Sequence, residues 1–165
     1  MEDRKFEEQQ QFRQWWVYLI YVLLFSLFGL FIYADIEQII FGRPFGDKPA
    51  SNFVLLFVTF ILIMIPLILY KVKLETRITK EAVFFRWKPF HSNFRKIDWS
   101  NVDRAEIINY GFVGYGWRLT PYGSIFNVAG NKGLQLILKS GKKIVLGTQK
   151  PKELTEFLKQ INQLN

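Results

Sequence analysis

WWVYLIYVLLFSLFGLFIYA, residues 15–34, and FVLLFVTFILIMIPLILY, residues 53–70, decide the architecture of this chain. Neither run contains a charged residue. At about 1.5 Å per residue they make helices of roughly 30 and 27 Å, close to the hydrocarbon thickness of a bilayer. Twelve residues of the first run and fourteen of the second are Leu, Ile, Val or Phe. At roughly −0.3 to −0.6 kcal/mol each, insertion of either run is favourable by several kcal/mol. Both are read as membrane spans. A cleavable signal peptide needs a basic start and a shorter apolar core, whereas Glu2, Asp3, Glu7 and Glu8 accompany Arg4, Lys5 and Arg13 ahead of the first run.

Orientation follows from the basic residues. Lys71, Lys73, Arg77, Lys80, Arg86, Lys88, Arg95 and Lys96 follow the second run, while the connection 35–52 contains only Arg43 and Lys48. The positive-inside bias then puts both termini in the cytoplasm, in a multi-pass protein of the cell (inner) membrane. Trp15, Trp16, Tyr18, Tyr33 and Tyr70 stand near the run ends, where amphipathic rings favour the headgroup layer. Residues 1–70 are expected to form a cytosolic leader and helical hairpin, and residues 71–165 a cytosolic domain.

The net charge of +8 is unevenly spread: residues 71–165 hold seventeen Lys and Arg against seven Asp and Glu, and the rest of the chain is slightly acidic. An excess of that kind beside an anionic leaflet reads as a topology signal and solvated surface, and argues against nucleic acid as the partner. There are no cysteines and one histidine. Disulfides are excluded, and neither a zinc site nor a cofactor is expected.

Beyond Tyr70 the hydrophobic period becomes two. Leu74, Thr76 and Ile78 alternate with Lys73, Glu75 and Arg77, and Val83, Phe85 and Trp87 alternate with Phe84, Arg86 and Lys88. This predicts two antiparallel strands linked at Thr79-Lys80 and ended by Pro89. Leu134, Leu136 and Leu138, then Ser140-Gly141, then Ile144 and Leu146 predict a hairpin. Strands are also expected in 94–98, 102–110 and 117–120. After Pro151, Leu154, Phe157, Leu158, Ile161 and Leu164 recur on one helical face. The fold class is therefore α+β: an N-terminal transmembrane helical hairpin, then an antiparallel β-barrel capped by a C-terminal α-helix.

The run Gly114-Tyr115-Gly116-Trp117-Arg118, with Tyr122, Phe126-Asn127, Gly130-Asn131-Lys132-Gly133-Leu134 and the stretch Gly141 to Pro151, resembles bacterial pleckstrin-homology-like domains that follow paired membrane spans. Ile97-Asp98-Trp99-Ser100-Asn101-Val102 is similar to the segment before that run in the same proteins. The resemblance covers residues 72–163 and implies seven strands in a strongly bent barrel closed by the terminal helix. Phosphoinositide-binding relatives carry a basic pattern that Lys80, Arg86 and Lys88 only approximate, with Lys in place of the final Arg fork.

Two surfaces are candidates for function. Tyr115, Trp117 and Arg118 lie in a glycine-aromatic tract and belong to the residue types that anchor interfaces. Lys71, Lys73 and Arg77 form a juxtamembrane basic group worth roughly 1 kcal/mol per charge against an anionic leaflet. No nucleophile, paired-carboxylate or metal-ligand spacing stands out: His91 sits in a loop, and Asp98, Asp103 and Glu106 lack a histidine companion. The expectation is a non-enzymatic module that docks a membrane protein or a second copy of itself, with an anionic-lipid sensor as the alternative. On the topology read above, Asp47→Cys and Ser140→Cys, made singly in this cysteine-free chain, label from opposite sides of the membrane with position 47 outside. Labelling of both from one side refutes the hairpin.

Overall fold

The computed structural model describes residues 5–111 and 114–164, and its contacts divide the chain into two compact units, Arg13–Lys71 and the remainder. The first is the helical hairpin. Helix α1 (Trp15–Asp35) runs into one π-helical turn (Ile36–Ile40), in which the Phe41 N–H reaches the Ile36 carbonyl at 3.2 Å, and α2 spans Asn52–Lys71. Both helices are long and apolar enough to cross a membrane, and they extend the expected runs by a few residues. Between them the Thr59 hydroxyl is 2.7 Å from Asp35 Oδ2, a buried polar contact in an otherwise apolar pair.

The second unit is mixed α+β, with strands β1 (Phe6–Gln11), β2 (Lys73–Ile78), β3 (Ala82–Lys88), β4 (Arg95–Asp98), β5 (Val102–Asn109), β6 (Gly116–Thr120), β7 (Gly123–Asn127), β8 (Lys132–Leu138) and β9 (Lys143–Gly147), and helix α3 (Pro151–Gln160). Strands β1 to β4 form an antiparallel sheet in chain order, and a second sheet has the order β5-β8-β9-β7-β6 with a parallel β7–β9 pair. The predicted alternation holds in β2 and β3: Leu74, Thr76, Ile78, Val83, Phe85 and Trp87 are buried, and the residues between them face outward. Residues of both sheets meet in one core with Leu154 and Leu158 of α3, and the Phe85 and Phe126 rings lie 5.1 Å apart across it. Phe157, Ile161 and Leu164 pack at the margin of that core. Ile125 and Val145, alternating with core residues of β7 and β9, form a smaller cluster with Tyr110 on the other face of the second sheet.

Two expectations are corrected. The first is the domain boundary: Phe6–Gln11 belongs to the β unit, pairing residue for residue with Ile78–Lys73 of β2, so the helical hairpin is an insertion between neighbouring strands and not a leader to them. The second is closure. Among the described residues no ladder joins the two sheets, so no closed barrel forms. The reason lies at β9, whose two edges are occupied by β8 and β7. Strand β1 therefore reaches the end of β9 through side chains. The Gln10 amide donates to the Gly147 carbonyl at 2.6 Å, while Glu8 accepts from the Thr148 hydroxyl at 2.6 Å and the Gln149 N–H at 2.7 Å.

Burial pushes the Glu8 carboxyl above its ordinary value, and the hydrogen bonds from Thr148 and Gln149 only partly offset this. A raised pKa means that the folded state holds the proton more tightly than the unfolded one. Glu8 therefore favours folding below the ordinary carboxylate pKa, and that contribution declines as pH rises through the raised value. Glu8→Gln is expected to remove this decline, flattening the fall in stability above about pH 4.5 by up to roughly 1.4 kcal/mol per pH unit. Thermal unfolding of the detergent-solubilised chain and the variant across pH 4 to 7 checks the sign.

Candidate interaction surface

The β unit has two ends. At one, Phe157 of α3 packs on Phe6 at 6.3 Å, near the paired residue Ile78. At the other, where β2 begins and β3 ends, the two sheets leave a mouth of about 530 Å³ lined by Val72, Trp87, Phe90, His91, Arg95, Tyr115, Gly116, Trp117 and Phe126. That volume suits a drug-sized ligand or a few side chains.

One wall comes from the loop after β3. The His91 N–H bonds the Trp87 carbonyl at 2.8 Å, and Arg86 donates to the Ser92 carbonyl at 3.1 Å while its guanidinium lies 4.2 Å from the Phe94 ring centre. These contacts turn Phe90 outward, 67% exposed. Arg95 donates to His91 Nε2 at 2.8 Å, which requires that ring nitrogen to be unprotonated because a guanidinium only donates. Phe126, Trp87 and Val72 are buried and form the floor.

The opposite wall is the start of β6. Tyr115 stands edge-on to Phe12 at 6.3 Å, and Trp117 is 62% exposed. Gly114 has φ +78° and carries the Arg118 guanidinium against its Cα; a Cβ there would lie 2.7 Å from that group. Arg118 Nε donates to the Tyr115 carbonyl at 3.2 Å, and the Asn127 amide donates to the Gly114 carbonyl at 3.0 Å. Glycine is thus needed at 114 both for its backbone and for space. Phe112 and Val113 of the same tract lie outside the described residues.

The structure brings Tyr115 and Trp117 together in the mouth and folds Arg118 across Gly114, off the lining. It does not gather the basic trio. Lys71 ends α2, Lys73 faces Gln11 and Lys88 across the sheet, and Arg77 is ion-paired to Glu7 and 5.5 Å from the Phe94 ring centre. Arg77 also lies four residues, about 13 Å, along the strand from Lys73, farther than a Debye length of about 8 Å. Asp98 pairs with Lys96 and Glu106 with Arg104, so these two carboxylates are engaged separately. Sequence reasoning missed Phe90, His91 and Arg95 as parts of one surface with Trp117; the only local signal was an aromatic residue inside a polar loop.

The arrangement is that of a β unit with an aromatic cleft, interrupted by two apolar helices. The sequence profile of the Family of unknown function (DUF6141) matches residues 3–162, and the chain belongs to that family. None of the curated proteins matches it. If the mouth is a surface and not part of the core, Phe90→Ser and Trp117→Ser each leave stability within about 0.5 kcal/mol. Phe126→Ala, which empties the floor, costs about 3 to 5 kcal/mol. Chemical unfolding of the three variants checks the contrast.

Proposed function

We propose that this chain is a multi-pass protein of the bacterial cell (inner) membrane with both termini in the cytoplasm, and that its β unit is a cytosolic pleckstrin-homology-like domain. In this reading the seven strands of that fold are two antiparallel runs, β1-β2-β3-β4 and β5-β8-β9, completed by α3. What supports it is the pairing order together with the docking of Leu154 and Leu158 into the core. The hairpin β6–β7 is then an addition, joined in parallel to the edge of β9. The two apolar helices occupy the connection between the first two strands.

The domain acts without chemistry, as a docking or regulatory module for a membrane protein partner or for a second copy of itself. The observation that carries this reading is the mouth: exposed Phe90 and Trp117 over a preformed aromatic floor, with Arg95 at the rim. Only residues 12–14 separate β1 from α1, and only Val72 separates α2 from β2. Links of that length reach at most about 14 and 7 Å. A partner confined to the same membrane meets such a domain at high effective concentration, so a small interface suffices. An anionic-lipid sensor ranks second, since Arg77 is already held by Glu7.

With a photocrosslinker at Tyr115 in native membranes, replacing Trp117 and Arg118 together by Ser is expected to reduce capture of the identified partner at least tenfold while the domain stays folded. Lys71→Gln with Lys73→Gln is expected to lower it less than threefold. Loss of capture through the lysine pair alone, or unfolding caused by the Trp117 change, overturns the docking reading.

A further inference from the structure

We propose that the free edge of β6, with the mouth beside it, takes up one extended polypeptide segment of a partner protein, apolar at alternate positions and carrying a carboxylate. This deepens the docking reading and rests on it.

Among the described residues strand β6 is paired only with β7, in a hairpin whose closing pair is Thr120 with Gly123 across Pro121-Tyr122. A two-residue hairpin hydrogen-bonds its closing pair, and hydrogen-bonded pairs then alternate. Gly116, Arg118 and Thr120 therefore turn their N–H and C=O groups to β7, and Trp117 and Leu119 turn theirs to the open edge. Those two residues also expose 62% and 76% of their surface on one face of the strand. The other sheet edges are guarded. β1 carries Glu7 and Gln9 outward and is tied down by Glu8 and Gln10; β4 carries Arg95, Lys96 and Asp98; β5 carries Asp103, Arg104 and Glu106. Charges on an edge discourage strand addition, and exposed apolar residues invite it. Among the described strands, β6 is the edge that presents Trp and Leu.

The chemistry of the occupant follows. Outward N–H and C=O groups at residues 117 and 119 are matched by another backbone, and neither a lipid nor a small anion reproduces that spacing. A strand added along β6 points every second side chain to the face of Trp117 and Leu119, and Trp117 lines the mouth. At the opposite rim is Arg95, which has a bond to His91 and, among the described residues, no carboxylate partner. With seventeen Lys and Arg against seven Asp and Glu in residues 71–165, an acidic side chain is the complementary one. A second copy fits less well: antiparallel pairing of two β6 strands centred on Arg118 sets like charges opposite each other.

The test uses the full chain in nanodiscs and an eight-residue peptide of alternating Val and Thr with one central Asp, followed by the fluorescence of a dye on the peptide. Saturable binding is expected, weakened at least tenfold when Asp is replaced by Asn or when the peptide backbone is N-methylated on its bonding edge. Leu119→Pro removes one outward N–H and no β6–β7 bond, and is expected to lower binding by a similar factor. Because N-methylation leaves the protein untouched, an unfolded Leu119→Pro variant does not remove the test. Binding indifferent to N-methylation overturns strand addition, as does concentration-dependent self-association through β6 or displacement of the peptide by anionic vesicles. Absence of peptide binding alongside retained, Trp117-dependent capture of a partner overturns this inference and leaves the docking reading standing; loss of both overturns both.

Discussion

The six-residue ladder between Phe6–Gln11 and Lys73–Ile78 is the contact on which the remaining architecture depends. It brings together two stretches separated by the whole helical hairpin, and it makes the β unit a single body instead of a domain with a tail. The ladder is strengthened from outside the sheet. Glu8 and Gln10 are both buried, and each bonds the end of β9 or the segment leading into α3. A buried carboxylate and a buried amide are costly unless they are satisfied. Here the Glu8 carboxyl accepts from the Thr148 hydroxyl and the Gln149 N–H. The Gln10 amide nitrogen donates to the Gly147 carbonyl while its oxygen has no partner among the described residues, so polar side chains link the two sheets where no ladder does.

The same arrangement explains the mouth. Because β7 lies along β9, strand β1 is denied that edge and the sheets stay open. The β6–β7 hairpin then projects Trp117 and Leu119 at the sheet's outer limit, and the loop after β3 supplies Phe90 and Arg95 from the other side. Openness and the exposed edge both follow from where the β6–β7 hairpin joins the second sheet.

What could be read in the sequence was what alternation or helical period records. Leu74 to Trp87, Leu134 to Leu146 and Leu154 to Leu158 were placed in the right elements, whereas Ile161 and Leu164, expected on the same helical face, lie past the end of α3 at Gln160, and β8 and β9 are buried on both faces. Strand β1 was illegible because FEEQQQ has one apolar residue, and of its three inward positions only Phe6 is apolar, the others being Glu8 and Gln10, which hydrogen-bond at a site that only the folded chain creates. The parallel β7–β9 pair was hidden for a different reason: five residues beginning at a glycine carry no signal of which neighbour they will join. Within the candidate surface, Tyr115 and Trp117 were visible as a glycine-aromatic string. Arg95 and Phe90 were not, since their membership depends on the contacts of Arg86 and His91 that set the course of the loop.

Inserting the apolar helices between paired strands has a cost and a remedy. Strand β1 is separated from β2 by residues 12–72, and as a flexible loop that length opposes pairing. Each halving of the effective loop lowers the closure cost by about 0.6 kcal/mol. Once α1 packs along α2, with Thr59 bonded to Asp35, the intervening chain is no longer flexible and its two ends are fixed by the helices themselves. Packing of α1 on α2, to which the Asp35–Thr59 bond contributes, therefore lowers the cost of closing the β1–β2 ladder by shortening the flexible chain between its strands.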